Sequence, residues 1–275
     1  MSDTITTPQI TLPRLGLGTF RLDGPAGQAA VERALRLGYR ALDTAERYEN
    51  EEVVGAGLKA SGVARADVKV TSKVWWDHLG PGQIRAACEA SLGRLGTDYL
   101  DLYLVHWPAP GMDLPRVLAD MARLKEEGLV RAIGVANFPA NLLRRALAVG
   151  VPLAANQVEY HLMLSQNRLL AVTRPAGMIL TAYTPLGKGK LASDPTVQAI
   201  AARHGATGGQ VALAWLLRQD GVAAIPKAAR EESQRENLGA VALAPKLTAE
   251  DVAALDALPK DQRMVNPDFR PDWND

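Results

Sequence analysis

Very little in this sequence is available for cross-linking, metal binding or the capture of a polyanion, and these shortages are the first guide to what it does. A single cysteine, Cys88, excludes an intramolecular disulfide, and its place in the helical pattern QIRAACEASLGRL reads as a buried thiol with a packing role. The four histidines, His78, His106, His161 and His204, show neither HxH nor HExxH spacing, so neither a zinc hydrolase nor any other metal site is expected. Basic residues are interspersed with acidic ones and the net charge is +1, which leaves no footprint for nucleic acid. No apolar run approaches membrane-spanning length, and MSDTITTPQITLPRL has no basic region followed by an apolar core. The expectation is a cytoplasmic monomer without membrane or nucleic-acid partners.

What the chain does have is a regular alternation. Its 275 residues, 47% apolar, are enough for one large domain or two small ones. From Arg14, the glycine-rich RLGLGTF reads as a strand and GQAAVERALRLG as a helix that stops at Gly38. Seven more short apolar runs follow: Tyr39 to Ala45, Val68 to Val74, Tyr99 to Trp107, VRAIGVAN ending at Asn137, LAANQVEY ending near Tyr160, MILTAYTPL, and Val222 to Ala228. Each is succeeded by a helical pattern, and the last two by a pair of them. With no linker or composition break, this predicts an α/β protein: a single domain over residues 1–275, built as a closed parallel (β/α)8 TIM barrel. A doubly wound open sheet is weakened because GLGTF lacks the third glycine of the dinucleotide fingerprint and no second half begins at mid-chain.

In such a barrel, functional groups collect at the C-terminal ends of the strands. Those ends carry Thr19, Asp43, Lys73, His106, Asn137, Gln157, Tyr183 and Lys227, each a polar residue closing an apolar run. Tyr48 follows Asp43 on the loop before Asn50, whose side chain is placed to cap the next helix, with Glu51 and Glu52 as first-turn charges. Asp43, Tyr48, Lys73 and His106 then lie side by side. A buried lysine beside a phenol favours phenolate, and a carboxylate beside that lysine keeps it charged. Lowering a tyrosine from about 10 to about 7 takes about 4 kcal/mol, which one unit charge about 4 Å away supplies at an effective dielectric near 20. A Tyr48 poised near neutral pH is therefore expected. A tuned phenol without a metal suits carbonyl reduction or its reverse, which needs a hydride donor. Asn137 and Gln157 offer amides for a carboxamide, Tyr183 a ring to stack on nicotinamide, and TPLGKGK with IPKAAR backbone amides and cations for phosphates.

The segment GYRALDTAERYENEEVVG, followed in order by KVW, LVHWP, IGVANF, NQVEYH, AYTPLG and IPK, resembles the aldo-keto reductases over essentially the whole chain. The likeness is strongest to bacterial members that reduce 2,5-diketo-D-gluconate and methylglyoxal. The resemblance implies catalysis by Asp43, Tyr48, Lys73 and His106, with Tyr48 as proton donor to a small carbonyl substrate. It implies nicotinamide contacts at Asn137, Gln157 and Tyr183, with Thr19 also on the cofactor side. A pyrophosphate loop is implied at Pro185, Leu186 and Gly187, and contacts to the adenosine 2′-phosphate and adenine at Lys227, Glu236 and Asn237. Two departures stand out. Ala136 replaces a usual serine, and Ala228 and Ser233 replace two usual 2′-phosphate partners, with Arg230 and Arg235 near enough to compensate. NADPH is the expected cofactor, with NADH accepted at weaker discrimination.

Phe20, Trp75 and Trp107 are expected to wall the substrate pocket, and Trp215 to sit in the core. Lys188 and Lys190 suit a solvated loop as well as phosphate contacts. The short Ala109 to Asp113 loop and the brief tail Pro259 to Asp275 predict an open pocket. Two other readings remain at this stage. One is a non-catalytic nicotinamide-nucleotide sensor on the same fold, and the other is a phosphate-handling barrel in which Lys73 forms a Schiff base.

Overall fold

The computed structural model describes residues 3–274. Eight parallel strands follow one another around a single sheet in chain order: β3 (Leu17–Gly18), β4 (Ala41–Asp43), β5 (Lys69–Val74), β6 (Leu100–Val105), β7 (Val130–Ala136), β8 (Ala155–Glu159), β9 (Ile179–Tyr183) and β10 (Val222–Ala224). The sheet closes on itself. Gly16 N–H donates to Ala224 O at 2.9 Å, Ala224 N–H to Arg14 O at 2.8 Å and Gly18 N–H to Pro226 O at 3.1 Å. The predicted barrel is therefore the observed one.

Helices α1 (Gly24–Leu37), α2 (Glu51–Ser61), α3 (Gln83–Leu95), α4 (Leu114–Glu126), α5 (Ala140–Ala148), α6 (Asn167–Thr173), α7 (Pro195–His204), α8 (Gly208–Leu217), α9 (Glu231–Leu243) and α10 (Ala249–Asp256) surround it. None among the described residues is long and apolar enough to cross a membrane. Strand alternation divides the core in two. On β6, Leu102 and Leu104 point into the barrel with Ala132, Ala136 and Ile179, while Tyr103 and Val105 join the larger layer beneath the helices. Burial on both faces is why these strands read as unbroken apolar runs rather than alternating ones.

The sequence reading assigns no element before Arg14, yet the chain opens with an antiparallel hairpin, β1 (Thr4–Thr6) and β2 (Thr11–Pro13). Its threonines face outward, and Ile5 and Leu12 join the apolar cluster inside the barrel. The alternation in TITTPQITLP was the available signal.

The closing seam is tight at Gly18, where an added Cβ would lie 2.6 Å from Ile225 O. Gly93, on α3, faces open space. Gly18→Ala should therefore cost about 1–3 kcal/mol in chemical denaturation, because the clash is with backbone. Gly93→Ala should instead gain up to about 1 kcal/mol from helix propensity.

Candidate active site

β4 ends at Asp43, and a short 3-10 helix, Glu46–Tyr48, carries the chain across the barrel mouth. Tyr48 thus sits on a 3-10 turn rather than the expected loop. The Glu46 carboxylate accepts the Trp75 N–H and lies 3.2 Å from His78 Nδ1, which ties this turn to the end of β5. Asn50 does not cap α2 with its side chain. Its Nδ2 donates to Thr19 O at 2.7 Å and Leu22 O at 3.1 Å, and its Oδ1 accepts from Thr44 Oγ1 at 3.0 Å. It fastens the first strand's exit to the second's. Glu51 is likewise no solvent-facing helix-start charge. The first turn of α2 presses on β5, so its carboxylate is buried, accepting from Ser72 Oγ at 2.5 Å and from Arg94 Nε at 2.8 Å.

Lys73 is wholly buried, with Nζ 2.6 Å from Asp43 Oδ1, 2.7 Å from Thr44 O and 3.4 Å from Tyr48 OH. These three acceptors use all three ammonium protons. The other Asp43 oxygen accepts from Gln157 Nε2 at 2.6 Å. His106 stands just beyond β6, its ring 5.6 Å from that of Tyr48 and 5.1 Å from that of Trp75. The structure thus brings Asp43, Tyr48, Lys73 and His106 together.

The electrostatics correct one expectation. Burial is the largest influence on Tyr48 and raises its pKa; Lys73 lowers it and Asp43 raises it, and the net shift is upward from 10.0. A single lysine was the expected perturbation, but the phenol faces a lysine–carboxylate pair whose fields partly cancel, and burial tips the balance upward. Burial alone would lower Lys73, but Asp43 and Tyr48 outweigh it and hold the ammonium charged. His106 is held well below 6.5 by burial and by the Lys73 charge, so its imidazole is neutral. Its Nδ1 is buried without a partner, which leaves Nε2 as the nitrogen free to meet a ligand.

Above this cluster opens a cavity of about 1000 Å³. Thr19, Phe20, Trp75 and Trp107 line it, although the Thr19 hydroxyl is spent on Asp43 O at 2.9 Å. Asn137, Gln157 and Tyr183 form the opposite side, continued by Pro185 and Leu186 to Lys227. Asn137 is already engaged: Tyr183 OH donates to its Oδ1 at 2.8 Å, and its Nδ2 donates to His106 O at 2.9 Å. Gly187, with φ 53°, turns the chain just outside the lining, and Lys188 reaches across to Met264 O at 2.9 Å. Lys227 and Arg230 are exposed and form no ion pair among the described residues, whereas Arg235 is paired with Glu231 at 2.8 Å. Glu236 and Asn237 lie on α9 beyond the lining; Glu236 accepts from Thr207 Oγ1 at 2.5 Å, and Asn237 is buried against Tyr39. Ala228 is buried and supplies no polar atom beyond its backbone. Trp215 is in the core, as expected, and donates to Asp256 at 2.8 Å.

Sequence reasoning missed the rest of the wall. Arg21 and Arg47 stand at the rim, stacked over Phe20 and Trp75 at 5.2 and 5.6 Å. The tail, expected to leave the pocket open, supplies part of its wall: Met264, Val265, Asn266, Pro267 and Phe269 line it. Phe269 is wedged among Trp75, Trp76 and Trp107, with ring centroids 5.4, 6.0 and 5.4 Å away. Two aromatic residues, Phe269 and Trp273, in an otherwise polar tail were the signal.

A barrel with this cluster at its mouth defines a class, and the chain belongs to the aldo/keto reductase family, whose model matches residues 14–260. It is 38% identical over 270 residues to methylglyoxal reductase DkgB of Escherichia coli O157:H7, covering 96% of this chain and 100% of that one. It is 41% identical over 264 residues to glyoxal reductase of Bacillus subtilis (strain 168), covering 94% of each. The fold superposes with a TM-score of 0.95 on a crystal structure assigned as a 2,5-diketo-D-gluconic acid reductase B, 38% identical, covering 99% of this chain and 98% of that one.

Because burial outweighs Lys73 at Tyr48, no Tyr48 ionisation should appear between about pH 7 and pH 9 in the difference between the ultraviolet titrations of wild type and Tyr48→Phe. Lys73→Met, which removes the one lowering charge, should move that ionisation further up.

Proposed function

We propose that the chain is an NADPH-dependent reductase of small aldehydes and ketones, with Tyr48 as proton donor. The observation that carries this reading is the Tyr48 phenol, accepting from the buried Lys73 ammonium at 3.4 Å and lying beside His106 at the foot of the cavity. When bound, the dihydronicotinamide supplies a hydride to the carbonyl carbon. Tyr48 uses its oxygen to accept from Lys73, which leaves its own O–H proton for the carbonyl oxygen. As that proton leaves, Lys73 stabilises the tyrosinate, and Asp43 keeps the ammonium charged and aimed. His106, neutral with one nitrogen free, orients the carbonyl by a hydrogen bond from Nε2 and adds no charge that would oppose Lys73.

The residues fit a nicotinamide dinucleotide. The cavity is large enough to hold it together with a small substrate. Gln157 keeps its carbonyl oxygen for a carboxamide, while Asn137 serves chiefly to hold Tyr183 and His106 in place. Lys227 and Arg230 are exposed cations with no ion-pair partner among the described residues, and they favour a cofactor with the additional 2′-phosphate. Ala228 and Ser233 bring no charge there, so the margin over NADH is narrow. Small dicarbonyls such as those named for the DkgB and glyoxal reductase relatives are the substrates this reading favours.

The Schiff-base reading of Lys73 loses ground on the same geometry. A wholly buried ammonium that is held charged and donates to three acceptors has no lone pair to offer a carbonyl.

Loss of NADPH absorbance with methylglyoxal tests the reading: Tyr48→Phe should lower kcat by about 100-fold or more, and an equal rate would refute it. Reduction should show no histidine limb near pH 6–7 and decline only as pH rises through the elevated Tyr48 value, since the active form is the protonated phenol. Lys227→Ala should weaken NADPH binding about 10-fold while leaving NADH within about twofold.

A further inference from the structure

The cavity wall contributed by the tail is held by a carboxylate that the proposed chemistry leaves unused. Glu159, the last residue of β8, is wholly buried. Its Oε1 accepts the Met264 N–H at 2.7 Å and its Oε2 the Val265 N–H at 2.9 Å, with Arg263 Nη1 3.8 Å away. His161, also wholly buried, completes the arrangement. Its Nδ1 accepts the Met163 N–H at 3.2 Å, so the ring proton sits on Nε2 and is donated to Glu159 Oε1 at 3.0 Å. The tail reaches this point through backbone pairing, Ser165 N–H to Lys260 O at 3.0 Å and Gln262 N–H to Met163 O at 2.8 Å. Beyond Val265 it meets the barrel chiefly through rings: Phe269 among the tryptophans, and Trp273 between Trp107 at 5.9 Å and the Arg263 guanidinium at 3.7 Å.

We propose that Glu159 is a positioning residue: its buried carboxylate clamps the tail where it turns over the cavity, and so fixes Phe269 as the wall that selects among carbonyl substrates. The clamp rests on geometry alone; its effect on substrates rests on the reductase reading above. A carboxylate offers an acceptor oxygen to each tail N–H, whereas a Gln amide keeps one acceptor and turns an NH2 donor toward the other N–H, so Glu159→Gln loses one tail contact and weakens the second at nearly unchanged side-chain size. Phe269 then leaves its slot for part of the time, and substrates that pack on it lose affinity while the proton donor is untouched.

The test is a cycle of Glu159→Gln, Phe269→Ala and the double variant in the full-length chain. Glu159→Gln should raise KM for an aromatic aldehyde about five- to tenfold with kcat within about twofold, and leave methylglyoxal, too small to reach Phe269, within about twofold. In the Phe269→Ala background it should add nothing. The same factor in both backgrounds would overturn the proposal, since Glu159 would then act elsewhere, for example through Tyr183, its neighbour across the ladder. Chymotrypsin cleavage at the Phe269–Arg270 bond, followed by mass spectrometry, reads the clamp without turnover. It should be at least about 10-fold faster in Glu159→Gln, and an unchanged rate refutes the clamp. If wild type reduces no carbonyl compound, the reductase reading falls and cleavage alone decides the clamp. Val265→Pro removes one tail N–H from the exposed side without touching the buried carboxylate, and it should reproduce the KM effect even if Glu159→Gln folds poorly.

Discussion

A lysine ammonium buried inside a barrel can be tolerated only if every proton has an acceptor and its charge a counter-ion, and Lys73 meets both requirements through one short segment, Asp43 to Tyr48. Asp43 comes from the end of β4, Thr44 contributes a carbonyl one residue later, and Tyr48 returns on the 3-10 turn. Asp43 is itself aimed by Gln157 from β8, on the far side of the barrel. That cross-barrel contact requires a closed sheet, and the seam is tight where Gly18 lies against Ile225. Removing Asp43 would strand an ammonium in a dry site, a cost of about 3–5 kcal/mol. One ion pair thus couples the stability of the barrel mouth to its chemistry.

The same pairing determines how Tyr48 behaves. A lone lysine would have driven the phenol toward phenolate, but a lysine already bonded to a carboxylate at 2.6 Å presents a much smaller net field. Desolvation then prevails and the phenol remains protonated. In the proposed role of giving a proton to a carbonyl oxygen, this is the useful ground state. The ammonium becomes important when charge develops on Tyr48, because its stabilising effect grows as the proton departs. His106 follows the same logic, since a charged imidazole beside Lys73 would raise the cost of the site without improving proton delivery.

Much of this could be read in the sequence because the barrel's rules are local. Short apolar runs alternating with helical periods gave the strands, and the polar residue closing each run gave the floor of the cavity. What escaped was decided by packing across distant segments. Asn50 and Glu51 have the composition of a helix start, and nothing local reveals that α2 turns that end inward, so that one ties Thr19 to Thr44 and the other meets Ser72 and Arg94. The tail reads as polar and short because its anchors, Glu159 and Lys188, lie 105 and 76 residues away in the chain. The hairpin that plugs the barrel was hidden by its brevity.

The two sides of the cavity are built on different physical terms. The floor and cofactor side are joined by a chain of hydrogen bonds, Tyr183 to Asn137 and Asn137 to the His106 carbonyl, carried on a backbone forced into the left-handed region at Asn137, φ 61°, and at Thr184, φ 51°. Asparagine tolerates that region, whereas a β-branched threonine does so only under constraint, so the strand exits on this side are held rather than relaxed. A shift of Tyr183 would be felt at His106 through Asn137, which makes the platform and the carbonyl-facing imidazole one mechanical unit. The opposite wall is carried by the tail and made of rings in edge-on contact, Phe269 at 82° to Trp75 and 89° to Trp107, with no hydrogen bond among them to fix their positions. Rings can slide and repack where a hydrogen-bonded, strained exit cannot, so variation in what the cavity accepts has room on the tail side without disturbing Tyr48 and Lys73 below.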